Sequence, residues 1–384
     1  MTGHFARRRL RALLAAMGSM LVATAATAQG TLSIQGFGFA PGQLSARARG
    51  AGGALGEGDP FSPLNPASPA VFRSKFLSFQ MEPEYRTVTS PTESKSSTTA
   101  RYPVVFAAMP VGERWVVSLS SSTILDRTWA TADSNVENIR GENVQTASDQ
   151  RVSGAMDDIR LGAAWSNRSW LRLGLAVHGT SGHNVVSLAR VFPDTSPFST
   201  FSQVLTVSFT GGGASAGAEV LANKATTLSV AFRYGGRVHA MLGDSLLSAA
   251  NLPDRIGFGL GYGGIKGTTL AARASYQNWS SLAPLGSGTS QPVDSWDMSL
   301  GAEMQGPRFR SRSLDFRAGL HSRTLPFQAA GNSVRERSVA AGTGFAVAGG
   351  LVLIDLAATR SWRDAGLSVS ERAWTFSVGL SARP

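Results

Sequence analysis

No cysteine occurs among the 384 residues. That absence excludes a disulfide framework, a cysteine metal site and an acylated N-terminal cysteine of the lipoprotein kind. Past the leader described below, no apolar run approaches the roughly 18 residues that a transmembrane helix needs. No basic cluster follows the leader either, so an exported chain of this kind has little to offer nucleic acid. The five histidines are scattered, and no metal ligand set is expected from them. "GAGGALG" lacks the spacing of G-x-G-x-x-G and the Lys-Ser/Thr of a P-loop, so no cofactor is expected.

What is present begins with "RRRLR" (Arg7 to Arg11), an apolar stretch from Leu13 to Ala25, and the small-x-small site Ala26-Thr27-Ala28. This reads as a secretory signal peptide over residues 1–28, cleaved near Ala28 to leave Gln29 first. An uncleaved anchor is the other reading, but about 13 apolar residues is short for a span of about 20. The leader holds four basic residues (Arg7, Arg8, Arg9 and Arg11), so its removal lowers the net charge from +11 to +7. A basic exported protein suits anionic lipid better than nucleic acid.

Hydrophobic residues make up 42% of the chain, and 43 residues are glycine. The apolar residues alternate. In "WTFSVGLSA", Trp374, Phe376, Val378 and Leu380 share one face and Thr375, Ser377, Gly379 and Ser381 the other. "WLRLGLAVHG", "TLSVAFRY" and "IGFGLGY" repeat the pattern. Period two is the signature of a two-faced strand. About fourteen such segments follow Phe72, centred near Phe79, Val105, Leu119, Leu161, Leu173, Val207, Val230, Phe258, Ala272, Leu300, Phe316, Phe345, Ile354 and Phe376. Each is long enough for a tilted membrane strand of about 9–11 residues. "TSPTESKSSTT", "ADSNVENIRGENVQTASDQ" and "PLGSGTSQP" are expected as loops, and Gly349-Gly350 as a tight turn.

A soluble β-sandwich also alternates. Against it, the apolar face carries few charges, and Trp115, Trp165, Tyr234, Tyr262, Trp296 and Trp374 sit at strand ends, where an interfacial girdle belongs. The expectation is therefore an all-β protein: a transmembrane antiparallel β-barrel of about 14 strands over residues 71–384, in the outer membrane of a Gram-negative cell. Residues 29–70 precede it, either as a free tail or as a plug in the lumen. Small residues that pack closely, and the turn-forming Asn65-Pro66, favour the plug.

"SARARGAGGALGEGDPFSPLNPASPA" (Ser45 to Ala70) resembles the N-terminal segment of FadL-type long-chain fatty-acid transporters and of related PorV-type barrels. The matching residues are Gly50, Gly52, Gly53 and Ala54, then Asn65, Pro66 and Ala67. "LPDRIGFGLGY" with the following "TTLAARASYQNWS" and the closing "ERAWTFSVGLS" are similar to the same family, while the prolines at 60 and 63 depart from its acidic run. The resemblance implies a hatch inside a fourteen-stranded barrel. It also implies passive uptake of hydrophobic or amphipathic molecules, with a lateral exit into the bilayer. A PorV-type scaffold for protein secretion is the alternative, and it would hold no small ligand.

If the apolar face meets lipid, the other face meets the lumen. That face would hold Asp158, Arg160, Arg172, His178, Arg233, Arg273, Asp297, Glu303, Asp315, Arg317, His321 and Asp355. Arg160, Arg172, Arg233, Arg273 and Arg317 are the candidates to meet a ligand carboxylate, and structural ion pairing is the other reading of the same ladder. Ser120, Ser121 and Ser122 interrupt the alternation of the third strand and are the candidate lateral opening. "HGTSGH" places Ser181 between two histidines and invites a lipid-hydrolase reading, but it lacks the G-x-S-x-G elbow and is expected as a loop at a strand end. No enzyme is expected. The expected partners are a hydrophobic small molecule and outer-membrane lipid, lipopolysaccharide included.

Overall fold

Alternating residues in the computed structural model build eighteen strand segments. They are β1 (Phe76–Thr89), β2 (Ser94–Arg101), β3 (Val104–Val111), β4 (Trp115–Asp126), β5 (Trp129–Ile139), β6 (Glu142–Ser166), β7 (Leu171–Val191), β8 (Phe201–Leu221), β9 (Thr226–Tyr234), β10 (Arg237–Leu242), β11 (Ser245–Asn251), β12 (Arg255–Ile265), β13 (Thr268–Gln277), β14 (Ser295–Phe309), β15 (Arg312–Ala329), β16 (Asn332–Val347), β17 (Val352–Asp364) and β18 (Ser370–Ala382). The structure describes residues 32–34, 37–91, 93–139, 142–192, 198–285, 291–309 and 312–383. The leader and its expected cleavage point lie outside them.

Four wall strands consist of two segments in line. β2 and β3 both pair with β1, and β4 and β5 both pair with β6. β9 and β10 both pair with β8, while β12 and β11 continue the next strand against them. The wall therefore has fourteen antiparallel strands, and β1 closes on β18 from Leu77↔Ala382 to Thr89↔Ser370. Each of the fourteen centres read from alternation falls in a different wall strand. In β18, Trp374 and Phe376 are exposed on the outside, while Ala373, Ser377 and Ser381 are buried inside.

The end holding the start of β1 and the end of β18, here the terminal end, has short turns at 112–114, 167–170, 222–225, 266–267 and 348–351. Gly349 and Gly350 take positive φ in the last of these. Exposed Trp115, Trp170 and Tyr262 lie near this end, and exposed Tyr85, Trp296, Trp362 and Trp374 lie toward the distal end. Two aromatic rows flanking an apolar belt match a bilayer with its two interfaces.

Three expected loops turn out differently. Most of "ADSNVENIRGENVQTASDQ" is paired strand, running from Trp129↔Val152 to Ile139↔Glu142. Residues 94–99 likewise pair with β1. Both pieces extend the wall past the distal aromatic row, where water wets each face and a strand needs no apolar residues. "HGTSGH" lies in the middle of β7 rather than at its end. Of "PLGSGTSQP", Pro284 and Leu285 belong to a 3-10 stretch (Trp279–Leu285), and 286–290 lie outside the described residues.

Residues 32–34 and 37–72 run inside the ring of strands. Helix α1 (Ala46–Gly50) is N-capped by Ser45, whose Oγ accepts from the Ala48 amide at 3.0 Å. The segment bonds to wall residues as far apart as Glu82, Ser122, Glu219, Arg255 and Glu303. Small residues let it approach the wall. Gly174 and Gly217 face Pro66 and Asn65 so closely that a Cβ at either would collide.

Val378 faces outward in the apolar belt. Val378→Arg is expected to cost about 2–4 kcal/mol of barrel stability if it sits near the bilayer midplane. Unfolding by denaturant in phospholipid vesicles, followed by heat-modifiable gel migration, measures that loss.

Candidate functional site

The lumen face is charged because the segment inside it is charged too. Arg47 donates to Glu303 at 2.6 and 2.8 Å and meets Asp59 at 3.2 Å. Arg49 meets Glu82 at 2.9 Å. Glu57, fully buried, is held by Arg255 and by Arg273, whose Nε lies 3.2 Å away. Burial alone would raise the Glu57 pKa, but the two guanidiniums outweigh it and hold the carboxyl below its usual range. Asn65 is buried. Its Nδ2 donates to the Glu57 carbonyl at 2.9 Å, and its Oδ1 accepts from the Ala67 amide at 2.9 Å. The Asn-Pro turn therefore pins the loop that carries Glu57.

Four of the five candidate arginines are engaged. Arg160 bonds Asp158 at 2.6 Å, Gln43 at 2.9 Å and the Pro63 carbonyl. Arg172 bonds Glu219 at 2.7 Å. Arg273 holds Glu57 and Asp297 at 3.2 Å, and Arg317 holds Glu303 and Asp355 at 2.6 Å. Arg233 differs. It is buried, and among the described residues its closest carboxylate oxygen is Asp158 Oδ2 at 3.8 Å and its Nε has no hydrogen-bond partner.

Alternation over "SFQMEPEYR" contained a second group that the sequence reading missed. Gln80, Glu82, Glu84 and Arg86 face inward from β1. Glu84 joins Arg86, Arg101 and Arg363, and Arg363 also reaches Glu336 and Glu371. The guanidiniums of Arg101, Arg363, Arg323 and Arg86 stand 4.4, 4.8, 5.1 and 6.0 Å from the centre of the Phe39 ring. One phenyl ring from the inner segment is thus enclosed by four cations, an arrangement that cation–π attraction supports.

Distal to this polar layer the interior turns apolar. Phe37, Leu125, Met156, Phe209, Leu252, Trp279 and Phe327 form one buried cluster, with Phe37 stacked on Phe327 at 4.5 Å. The cavity between the cluster and the arginines is about 30 Å³, lined by Ile124, Trp279 and Pro326 on one side and Arg233, Arg255 and Arg323 on the other. That is room for about one water, far below the roughly 300 Å³ of a ligand pocket. The apolar layer is collapsed onto Phe37.

Beside this cluster the wall is interrupted. β3 pairs with β1 and β4, but beyond Pro103 β2 pairs only with β1, and β5 only with β6, among the described residues. Pro103 has no N–H for the ladder. A register shift between Thr123 and Leu125 turns both Ile124 and Leu125 inward and bends the strand. The Asp126 backbone, paired with Ala155 of β6 on one side, meets Phe39 on the other: Phe39 N donates to Asp126 O at 2.7 Å, and Asp126 N to Phe39 O at 2.8 Å. Gly38, at φ 128°, lies against the Asp126 carbonyl, where a Cβ would not fit.

No protein-family model matches the chain, and no curated protein matches it in sequence. Solved structures do match. A Pseudomonas aeruginosa FadL homologue superposes with a TM-score of 0.66 at 14% identity, over 90% of this chain and 99% of that one. The Ralstonia pickettii toluene transporter TbuX gives 0.59 at 16%, over 88% and 98%. The CymD monoaromatic hydrocarbon channel gives 0.56 at 15%, over 89% and 97%. The fold is that of the FadL-type barrels.

Within this FadL-type fold the interruption does not fall at Ser120, Ser121 and Ser122. Those residues pair on both sides, with Phe106, Val105 and Val104 of β3 and with Arg160, Ile159 and Asp158 of β6. Ser120 and Ser122 point into the lumen, where Ser122 Oγ accepts from Gln43 Nε2 at 2.8 Å. Small hydroxyls break a hydrophobic pattern without breaking a ladder. The break needs the missing N–H of Pro103 and the bulge beyond Thr123.

Ser181 is exposed on the outer face of β7, away from His178. His178 instead bonds Ser215 Oγ at 2.8 Å and Asp158 at 3.1 Å, the order of a Ser-His-Asp triad. Asp158 is already neutralised by Arg160, and Ser215 is itself buried inside the wall, with its hydroxyl held on His178. A fluorophosphonate probe is therefore expected to leave both Ser181 and Ser215 unlabelled, which mass spectrometry of the digested protein reads directly.

Glu57→Gln leaves Arg255 and Arg273 short of their buried carboxylate, and a broken buried pair costs about 3–5 kcal/mol. The inner segment should then become protease-sensitive at neutral pH. In the unchanged protein the carboxyl is depressed, so its contribution is complete above its unfolded value of about 4.3 and is lost only as pH falls through the lower folded value. Limited proteolysis across an acid series is expected to release the segment only below about pH 4.

Proposed function

We propose that this protein is an outer-membrane channel for passive uptake of hydrophobic or amphipathic small molecules, in a closed state. After cleavage near Ala28 the chain spans the membrane with its terminal end in the periplasm and its distal end outside. Residues 29–70 serve as the hatch, with Gly50, Gly52, Gly53 and Ala54 giving it close contact with the wall, and Asn65, Pro66 and Ala67 anchoring it. One observation carries this reading: the apolar cluster and the wall interruption adjoin, and the same residues, Phe37 to Phe39, close both. A molecule entering the apolar layer must move Phe37. Moving Phe37 pulls Phe39 off Asp126 and opens a sideways path to the bilayer. Arg233 is the candidate contact for a ligand's polar head, while Arg160, Arg172, Arg273 and Arg317 hold the hatch and wall together.

The similar structures are described as a FadL homologue, a toluene transporter and a monoaromatic hydrocarbon channel, which supports transport over a PorV-type scaffold and over catalysis. Because the chain has no cysteine, Phe39→Cys with Asp126→Cys creates one unambiguous pair. The two residues exchange both backbone hydrogen bonds, which brings their Cα atoms to about 5.5 Å, within disulfide range. Uptake of a radiolabelled alkyl carboxylic acid by expressing cells should be lost on oxidation and restored by dithiothreitol. Equal uptake in both states would remove Phe39 from the gate.

A further inference from the structure

On the outside of the barrel, three arginines share one patch near the distal aromatic row. Arg337, Arg360 and Arg372 lie on the adjacent strands β16, β17 and β18 and turn outward. Their cross-strand neighbours are uncharged. Arg337 faces Ser322 and Trp362, Arg360 faces Val339 and Trp374, and Arg372 faces Trp362 and Thr87. The nearest outward carboxylate in this register, Asp364, stands opposite Arg335 one row further out. The Arg360 guanidinium carbon lies 5.1 Å from the centre of the Trp374 ring and 6.0 Å from that of Trp362, which keeps it close to the wall. Cations placed among interfacial tryptophans, with no acidic partner among the described residues, are cations left for anionic headgroups.

A second feature begins at the same place. An apolar groove of about 1010 Å³ crosses the outer face from Arg337 and Trp362, over β13, to β9 and β8. Its floor is set by register: Ala272 sits between Leu260 and Leu300, and Ala274 between Phe258 and Met298. Two small residues flanked by four large ones leave a furrow that only a flexible apolar chain fills. Guanidiniums above and an acyl-sized furrow below match a lipid that carries phosphate.

We infer that this face is a binding site for a phosphorylated glycolipid of the outer leaflet, lipid A of lipopolysaccharide, with its phosphates on Arg337, Arg360 and Arg372 and an acyl chain in the groove that crosses β13. Guanidinium forks suit phosphate oxygens. Arg337 and Arg372 flank Trp362, two strand spacings or about 10 Å apart, and Arg360 lies two residues further along the strand between them, so the three span more than one phosphodiester fills. Free phosphate accounts for the arginines but leaves the furrow empty. The site rests on the outward orientation of the distal end given above and is otherwise independent of what the lumen carries.

Native mass spectrometry of the full barrel in detergent tests it, with bisphosphorylated lipid A, dephosphorylated lipid A and phosphatidylglycerol as the probes. The unchanged protein should retain bisphosphorylated lipid A, and retention should fall at least tenfold with the dephosphorylated form or with phosphatidylglycerol. Arg337→Gln with Arg360→Gln and Arg372→Gln should lose retention to the same extent while keeping heat-modifiable migration. Arg151→Gln, at an exposed arginine already paired with Asp149, should lose none. Equal retention by the triple variant, or equal retention of phosphatidylglycerol, overturns the site. Orientation is read separately. Asp244→Cys, in the distal turn between β10 and β11, should react with an impermeant maleimide on intact cells, and failure there overturns the orientation whatever the lipid result.

Discussion

A backbone that crosses lipid must satisfy every N–H and C=O without water, and closing the sheet on itself is how a sheet does so. The pairing of β1 with β18 supplies that closure. The wall departs from the rule between β2 and β5, and at Asp126 the departure is repaired from inside by the backbone of Phe39. One stretch of the inner segment therefore stands in for a missing stretch of wall. Strand pairing, the seat of the inner segment and the state of the apolar layer are coupled through that bridge.

Charge balance follows from the same closure. A charge buried in the lumen is costly when left alone, so among the described residues each buried carboxylate has a cation, and the inner segment brings its own share of both. Glu57 depends on Arg255 and Arg273, and Arg47 on Asp59 and Glu303. Such networks add little net stability but are costly to break, which makes them better at specifying one seat for the segment than at strengthening the barrel. Arg233 stands apart at the border of the apolar layer, because its closest carboxylate oxygen is 3.8 Å away.

Much of the wall was readable one strand at a time. A period of two depends only on local residue order, so fourteen strands, their lipid faces and their inward residues from Asp158 to Asp355 appeared without any knowledge of partners. Polar extensions such as 132–150 were not readable, because a strand wetted on both faces carries no hydrophobic pattern. Ser120 to Ser122 misled for a related reason: composition shows where apolar residues stop but not where hydrogen bonds stop.

By itself the sequence determined the strand count, the outward and inward faces, the small-residue inner segment and the turn at Asn65-Pro66. Each of these is a property of neighbours along the chain. The tertiary structure alone decided which arginines are engaged, because Arg233 and Arg273 look alike in alternation and differ only in whether a carboxylate from another strand or from the inner segment reaches them. It also decided where the wall is interrupted. Pro103 and the bulge beyond Thr123 lie on different strands, and they act together only once β3 and β4 are paired. Long-range contacts of this kind leave no periodic trace, since they depend on how strands are brought side by side and not on the order of residues within any one of them.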